Sequence, residues 1–228
     1  MTTGREKTSK GKISELKHGA RMNRERFHYL YVQTPEDFRF ELIGGVVHEP
    51  SPISFSHGEH HGLLSLILGS YALKTPGVQS LGSVTVLLSD QDEVEPDLML
   101  RVLPEFGGRT QITSDNYING PPELVVEIAH SSASLDLGRK RKRYMLGGVT
   151  EYLVICTHLE EIRWLDLPND TKYQADDTDI IKSKVFPGLW LSNESLVGGC
   201  NHKLAMKVLN KGLRSADHAD FVKKLAKR

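Results

Sequence analysis

The sequence predicts a mixed α/β sheet with a helix on at least one face, and three stretches carry that expectation. Residues 123–156 run from "ELVVEIAH" through "SLDLGRKRKRYMLGG" to "EYLVIC", a strand–helix–strand succession that implies a βαβ-like unit. "FRFELIGGVVHE", Phe38 to Glu49, is two alternating segments around Gly44-Gly45, where consecutive glycines supply the positive φ of a tight hairpin turn. "HGEHHGLLSLILGSYALK", from His57 to Lys74, repeats apolar residues at Leu63, Leu64, Ile67, Leu68 and Tyr71 with helical spacing.

The other elements follow in chain order. Residues 1–26 lack hydrophobic periodicity and read as a flexible basic arm, with the ordered domain spanning 27–200. After the hairpin and the long helix come two short strands, Ser83 to Ser89 and Glu95 to Val102, joined by the acidic turn "DQDEVE". A polar loop occupies 104–122. The helix beginning at Ser134 is expected to run 11 to 13 residues, with Ser134 or Asp136 as its N-cap and Gly147-Gly148 as its stop. "EIRWLDL", Glu161 to Leu167, pairs with "EYLVIC", and residues 201–228 form a basic tail with a weak helix in "ADFVKKLAKR".

Composition narrows the function classes. Of 228 residues, 39% are hydrophobic and 25% charged, and no run of about 18 apolar residues is present to span a membrane. The polar N-terminus does not resemble a signal peptide, and two cysteines suit a reducing, cytoplasmic setting. Net charge is zero, yet residues 1–26 hold eight Lys/Arg against three acids, and residues 201–228 hold eight against two. The body between them is therefore strongly acidic, an arrangement that suits basic ends touching a polyanion and a body that gathers cations. The sequence has neither the G-x-x-x-x-G-K-[ST] phosphate loop nor the G-x-S-x-G elbow. "HGEHH" at 57–61 lacks the cysteine pair or HExxH spacing of a zinc site.

Two acids stand out because they interrupt apolar strands. Glu127 sits within Leu124, Val125, Val126 and Ile128, where an unpaired charge would cost several kcal/mol, and Asp97 interrupts "EPDLML". Neighbouring strands lie about 4.8 Å apart, so two such carboxylates can converge on one divalent ion. In the following helix Asp136, Lys140 and Tyr144 are spaced i, i+4, i+8 and share a face, which aims an ammonium back at the acids. Arg139, Arg141, Lys142 and Arg143 make the densest basic run of the body. Two acids, a metal and a lysine can make hydroxide from water and drive in-line attack on a phosphodiester. A structural ion pair at Glu127 and a solvated basic helix face are the alternative readings.

The order "ELIGG … H … EPDLML … PPELVVEIAHSS … D-x-x-x-K-x-x-x-Y … GVTEYLV … FPGLWL", from Phe38 to Leu196, resembles the Uma-two family within the PD-(D/E)XK nuclease superfamily. The resemblance implies a restriction-endonuclease-like curved sheet and a Mg²⁺- or Mn²⁺-dependent endonuclease acting on DNA. It makes Asp97 and Glu127 the metal-binding acids, with the Ile128 carbonyl as a further ligand. Glu41 resembles the additional acid, Lys140 a lysine displaced onto the helix, and His57 a recurrent family histidine. Arg139, Arg141, Lys142, Arg143 and the tails would contact phosphates without reading bases. The superfamily's usual lysine position is Ala129 here, and Leu153 and Cys156 replace a Trp and an Asp of the family pattern. Ala129 sustains a rival from another class: a catalytically silent nucleic-acid-binding or protein-interaction module on the same scaffold. A homodimer is compatible with either reading.

Overall fold

A computed structural model describes residues 15–35 and 37–227. Residues 15–26, expected within a flexible arm, are docked on the domain. Gly19 N–H donates to Val47 O and Val47 N–H to Ala20 O, and Leu16 is buried with Phe27 and Leu30. The segment is held largely through its backbone, which leaves no side-chain period to read. Residues 1–14 of the expected arm lie outside the described residues. Helix α1 (Arg24–Tyr31) begins at Asn23, whose side chain accepts from Arg26 N.

The hairpin forms as expected from β1 (Glu41–Ile43) and β2 (Val46–His48), with Gly44 and Gly45 at φ 60° and 72°. Helix α2 (Phe55–Leu73) starts at Ser54, which caps His57 N, and buries Leu63, Leu64, Ile67, Leu68 and Tyr71. Strand β3 (Val78–Gly82) was not visible in the sequence, being a half-buried edge strand with only two aliphatic side chains. β4 (Val86–Ser89) is followed by a correction. "DQDEVE" is not one turn, because Asp92–Val94 forms the buried strand β5, paired with both β1 and β4. Its acids are made tolerable by distant partners: Arg143 grips Asp92, and His28 Nδ1 lies 2.9 Å from Glu93. β6 (Leu98–Val102) begins one residue after Asp97. The polar loop carries two short strands, β7 (Gln111–Ile112) and β8 (Ile118–Asn119).

β9 (Leu124–Ala129) and β10 (Glu151–Cys156) lie parallel and fully buried, with the helical run 133–147 (α3) between them, as the βαβ reading requires. The helix differs from its expected form. It opens at Ala133 with Ser132 as N-cap, so neither Ser134 nor Asp136 caps it. Asp136–Lys140 is a π segment, in which Arg141 N–H reaches back five residues to Asp136 O. Arg141–Gly147 then continues as α-helix to Gly148, at φ 91°. β11 (Glu161–Asp166) pairs antiparallel with β10, followed by β12 (Thr171–Lys172). A small ribbon of β13 (Ile180–Lys182) and β14 (Trp190–Ser192) completes the strands.

Two six-stranded mixed sheets result, ordered β2-β1-β5-β4-β8-β7 and β12-β11-β10-β9-β6-β3. The second is the core sheet. Leu124, Val126 and Ile128 face the α2 side, while Val125 and Ala129 pack with Tyr144 of α3. Strand alternation therefore sends Glu127 toward α3. The expected basic tail is also corrected, since α4 (His202–Leu213) and α5 (Ala216–Leu225) pack on the body. Ala205, Leu209 and Leu225 join the main core, and His218 is buried with Nε2 2.9 Å from Thr75 Oγ1. Among the described residues, no helix is long and apolar enough to cross a membrane.

Candidate active site

β6 pairs with β9 so that Leu98 opposes Val126, and the next step of that register sets Asp97 beside Glu127. Asp97 Oδ2 accepts from Ile128 N at 2.7 Å, which fastens the strand entry to β9. Glu41, on β1, reaches the same place from the other sheet, and its Oε1 accepts from Glu95 N at 2.9 Å. The helix α3 supplies the cation. Lys140 Nζ donates to Glu127 Oε1 at 2.9 Å and lies 3.0 Å from Glu41 Oε2 and 3.9 Å from Asp136 Oδ1. Tyr144 OH donates to the same Glu127 oxygen at 2.8 Å. The i, i+4, i+8 face thus points inward as the spacing predicted, even though its first turn is π.

His57 bridges two of the expected metal ligands. Its Nδ1 is 2.9 Å from Ile128 O and its Nε2 is 3.3 Å from Asp97 Oδ1. The hydrogen bond with Asp97 pushes the imidazole up, against the effect of burial. Glu41, His57, Asp97, Glu127, Ile128, Asp136 and Lys140 all line one cavity of about 490 Å³.

The charges are unbalanced. Burial alone would lower Lys140, but Glu127, Glu41 and Asp136 together raise it well above the usual lysine range, so it stays an ammonium. Burial, followed by Asp97, Asp136 and Glu41, pushes the Glu127 carboxyl upward against the pull of Lys140. Asp136 is raised for the same first reason, its burial. One lysine and one histidine face four carboxyl groups, and carboxylates suit a hard divalent cation such as Mg²⁺ or Mn²⁺. The donor chemistry fits such an ion. The spacing is looser, because Glu41, Asp97 and Glu127 are not among the described sets of three ligand groups with atoms within 4.8 Å of one another. Uptake therefore requires side-chain rotation, and Lys140 and His57 hold the oxygens meanwhile.

The basic run divides. Arg143 makes three hydrogen bonds to Asp92, at 2.6 to 3.0 Å, beneath the hairpin, so it braces the fold and is not presented to a phosphate. Arg141 is engaged by Asp170. Arg139 approaches His48 at the cavity rim, at 3.2 Å, and Lys142 is exposed. His61, one turn after His57 in "HGEHH", was not singled out from the sequence. It lines the cavity with Nε2 3.3 Å from Asp97 O.

A curved sheet pair with acids at the β6 entry and on β9, and a lysine on the crossover helix, defines a nuclease-like α/β protein with a restriction-endonuclease-like fold. The Uma2 family model, described as "Putative restriction endonuclease", matches residues 24–194, and the chain belongs to that family. The fold is similar to a crystal structure from Anabaena variabilis described as "a putative nuclease belonging to DUF820". That similarity has a TM-score of 0.58 at 13% identity and covers 74% of this chain and 95% of the other. No curated protein matches the sequence.

Proposed function

We propose that the protein is a Mg²⁺- or Mn²⁺-dependent endonuclease that hydrolyses DNA phosphodiester bonds. The observation that carries the reading is the gathering of Glu41, Asp97, Glu127 and Asp136 on one cavity with Lys140 as its buried ammonium. Asp97, Glu127, Glu41 and the Ile128 carbonyl would hold the ion. When bound, the ion would supply a hydroxide from water and offset charge developing on the phosphate. Lys140 orients or deprotonates the attacking water and steadies the phosphate, since its protons already point at the acid oxygens. Tyr144 keeps Glu127 in place by donating to Oε1. Arg139 and Lys142, exposed on α3, are the members of the basic run that remain available to DNA backbone phosphates.

The silent-module reading rests on one observation: Lys140, Tyr144 and Glu127 already form a closed ion pair and hydrogen-bond set. Calorimetry and DNA cleavage with Mg²⁺ or Mn²⁺, on the wild type and Asp97→Asn, separate the two. The nuclease reading expects divalent binding and cleavage that both collapse in the variant. Absence of divalent binding up to millimolar concentration would leave the silent module.

A further inference from the structure

A second set of metal-type donors lies outside the cavity described above. Glu59 and His60, near the start of α2, meet Cys200, which arrives from the turn before α4, and one ligand atom from each lies within 4.8 Å of the others. We propose that Glu59, His60 and Cys200 form a separate site for a divalent cation of the zinc type, which clasps the start of α2 to the turn leading into the C-terminal helices.

The donor set argues for the class of ion. A thiol sulfur, an imidazole nitrogen and a carboxylate oxygen are zinc-type ligands, whereas the all-oxygen cavity around Glu127 suits Mg²⁺ or Mn²⁺. The supporting shell is already built. His60 is buried, and its Nδ1 is 2.7 Å from Ser56 O, the contact by which a metal-bound histidine commonly fixes its ring while the other nitrogen faces the ion. Its Nε2 is 2.8 Å from Leu196 O, so a backbone oxygen stands beside the expected position. Gly198 and Gly199, at φ 72° and 126°, make the turn that delivers Cys200. A cavity of about 230 Å³ adjoins the cluster, lined by Glu59, Glu160, Glu161 and His60, with no Lys or Arg among its walls.

A reactive-cysteine role does not compete. Burial, then the Glu59 charge, pushes the Cys200 thiol up to about 11, the reverse of what a nucleophilic cysteine needs. The proposed site is three-ligand and leaves room for water, and its effect is to fasten α4 and α5 to α2.

Cobalt(II) titration of the untagged full-length protein tests the site, because a cysteine ligand produces a thiolate-to-cobalt absorption band. One ion should bind with that band, Zn²⁺ should displace it, and millimolar Mg²⁺ should not. Cys200→Ser should remove the band while Cys156→Ser and Asp97→Asn keep it. Glu59→Gln, a half-buried change with little bearing on folding, should weaken Zn²⁺ binding about tenfold or more. Zn²⁺ should also slow maleimide labelling of Cys200 in the wild type. No thiolate band, or a band that survives Cys200→Ser or disappears with Asp97→Asn, would overturn the assignment.

Discussion

Glu127 and Glu151 stand on neighbouring parallel strands, both buried, and are held in opposite ways. Glu151 accepts from Trp164 Nε1, Tyr173 OH, Ser183 Oγ and the backbone N–H groups of Lys184 and Val185, at 2.7 to 3.2 Å. Neutral donors thus engage both its oxygens, far from the active cavity, and tie the β13–β14 ribbon to the core sheet. Glu127 places both of its hydrogen bonds, from Lys140 and Tyr144, on Oε1 and lines the cavity. The difference shows what turns a buried acid into a site: an oxygen left to an incoming ligand, and a cationic partner that can be exchanged. Glu151 is a fastener, and Glu127 is held in readiness.

The largest expected effect comes from removing the charge at the exchangeable acid. Glu127→Gln should lower divalent-dependent DNA cleavage by about 10³-fold or more, roughly 4 kcal/mol in the barrier, while the metal-free urea midpoint barely moves. A variant that cleaves at the wild-type rate would break the contrast. Glu151→Ala should do the reverse. Five donors lose their acceptor, so stability should fall by about 4 kcal/mol in chemical denaturation, with the folded fraction still cleaving normally.

Lys140→Ala should lower the cleavage rate by roughly 10² to 10⁴ with DNA affinity little changed. It also leaves Glu127, Glu41 and Asp136 without their cation, a loss of about 3 kcal/mol in the metal-free protein. Added Mn²⁺ should then raise the melting temperature more than it does in the wild type. An equal rise in both proteins would mean that lysine and ion do not exchange.

The smallest effect is a pH slope. Burial pushes the Glu151 carboxyl up, with its donors pulling the other way. Because the folded value is the raised one, its stabilising share is complete below the unfolded value of about 4.5 and is lost as pH rises through the folded value. The stability advantage of wild type over Glu151→Gln should therefore shrink with rising pH, by about 1 kcal/mol or less. A constant gap in urea midpoints would show that the donors fully cancel burial.

The active site was legible because its signals were local. A carboxylate inside an apolar strand has few explanations, and Asp136, Lys140 and Tyr144 lie within nine residues of one another. Glu151 gave no such signal, because its donors lie 13 to 34 residues ahead and the acid itself looks like an ordinary strand start. β5 was hidden for a related reason. "DQDEVE" reads as a solvated turn until Arg143 and His28, 51 and 65 residues away, are brought to its acids. The ends were misjudged because charge dominates them. Leu16, Leu209 and Leu225 are few beside the lysines and arginines, yet they are the residues that bind those segments to the body.

The π segment at Asp136–Lys140 makes the length of α3 part of the information it carries. A π turn accommodates one residue beyond the α-helical count, and each α-helical residue advances the helix by about 100°. The Cβ position of Gly138 meets no neighbour within 4 Å, so no packing contact there holds that residue in place. Closing the turn by losing one residue would keep every side chain of the motif and change the phase between them. Asp136 and Tyr144 would then face different directions around the axis. Two sequences with the same acids and the same lysine can therefore differ in whether those groups meet, by the count of residues alone.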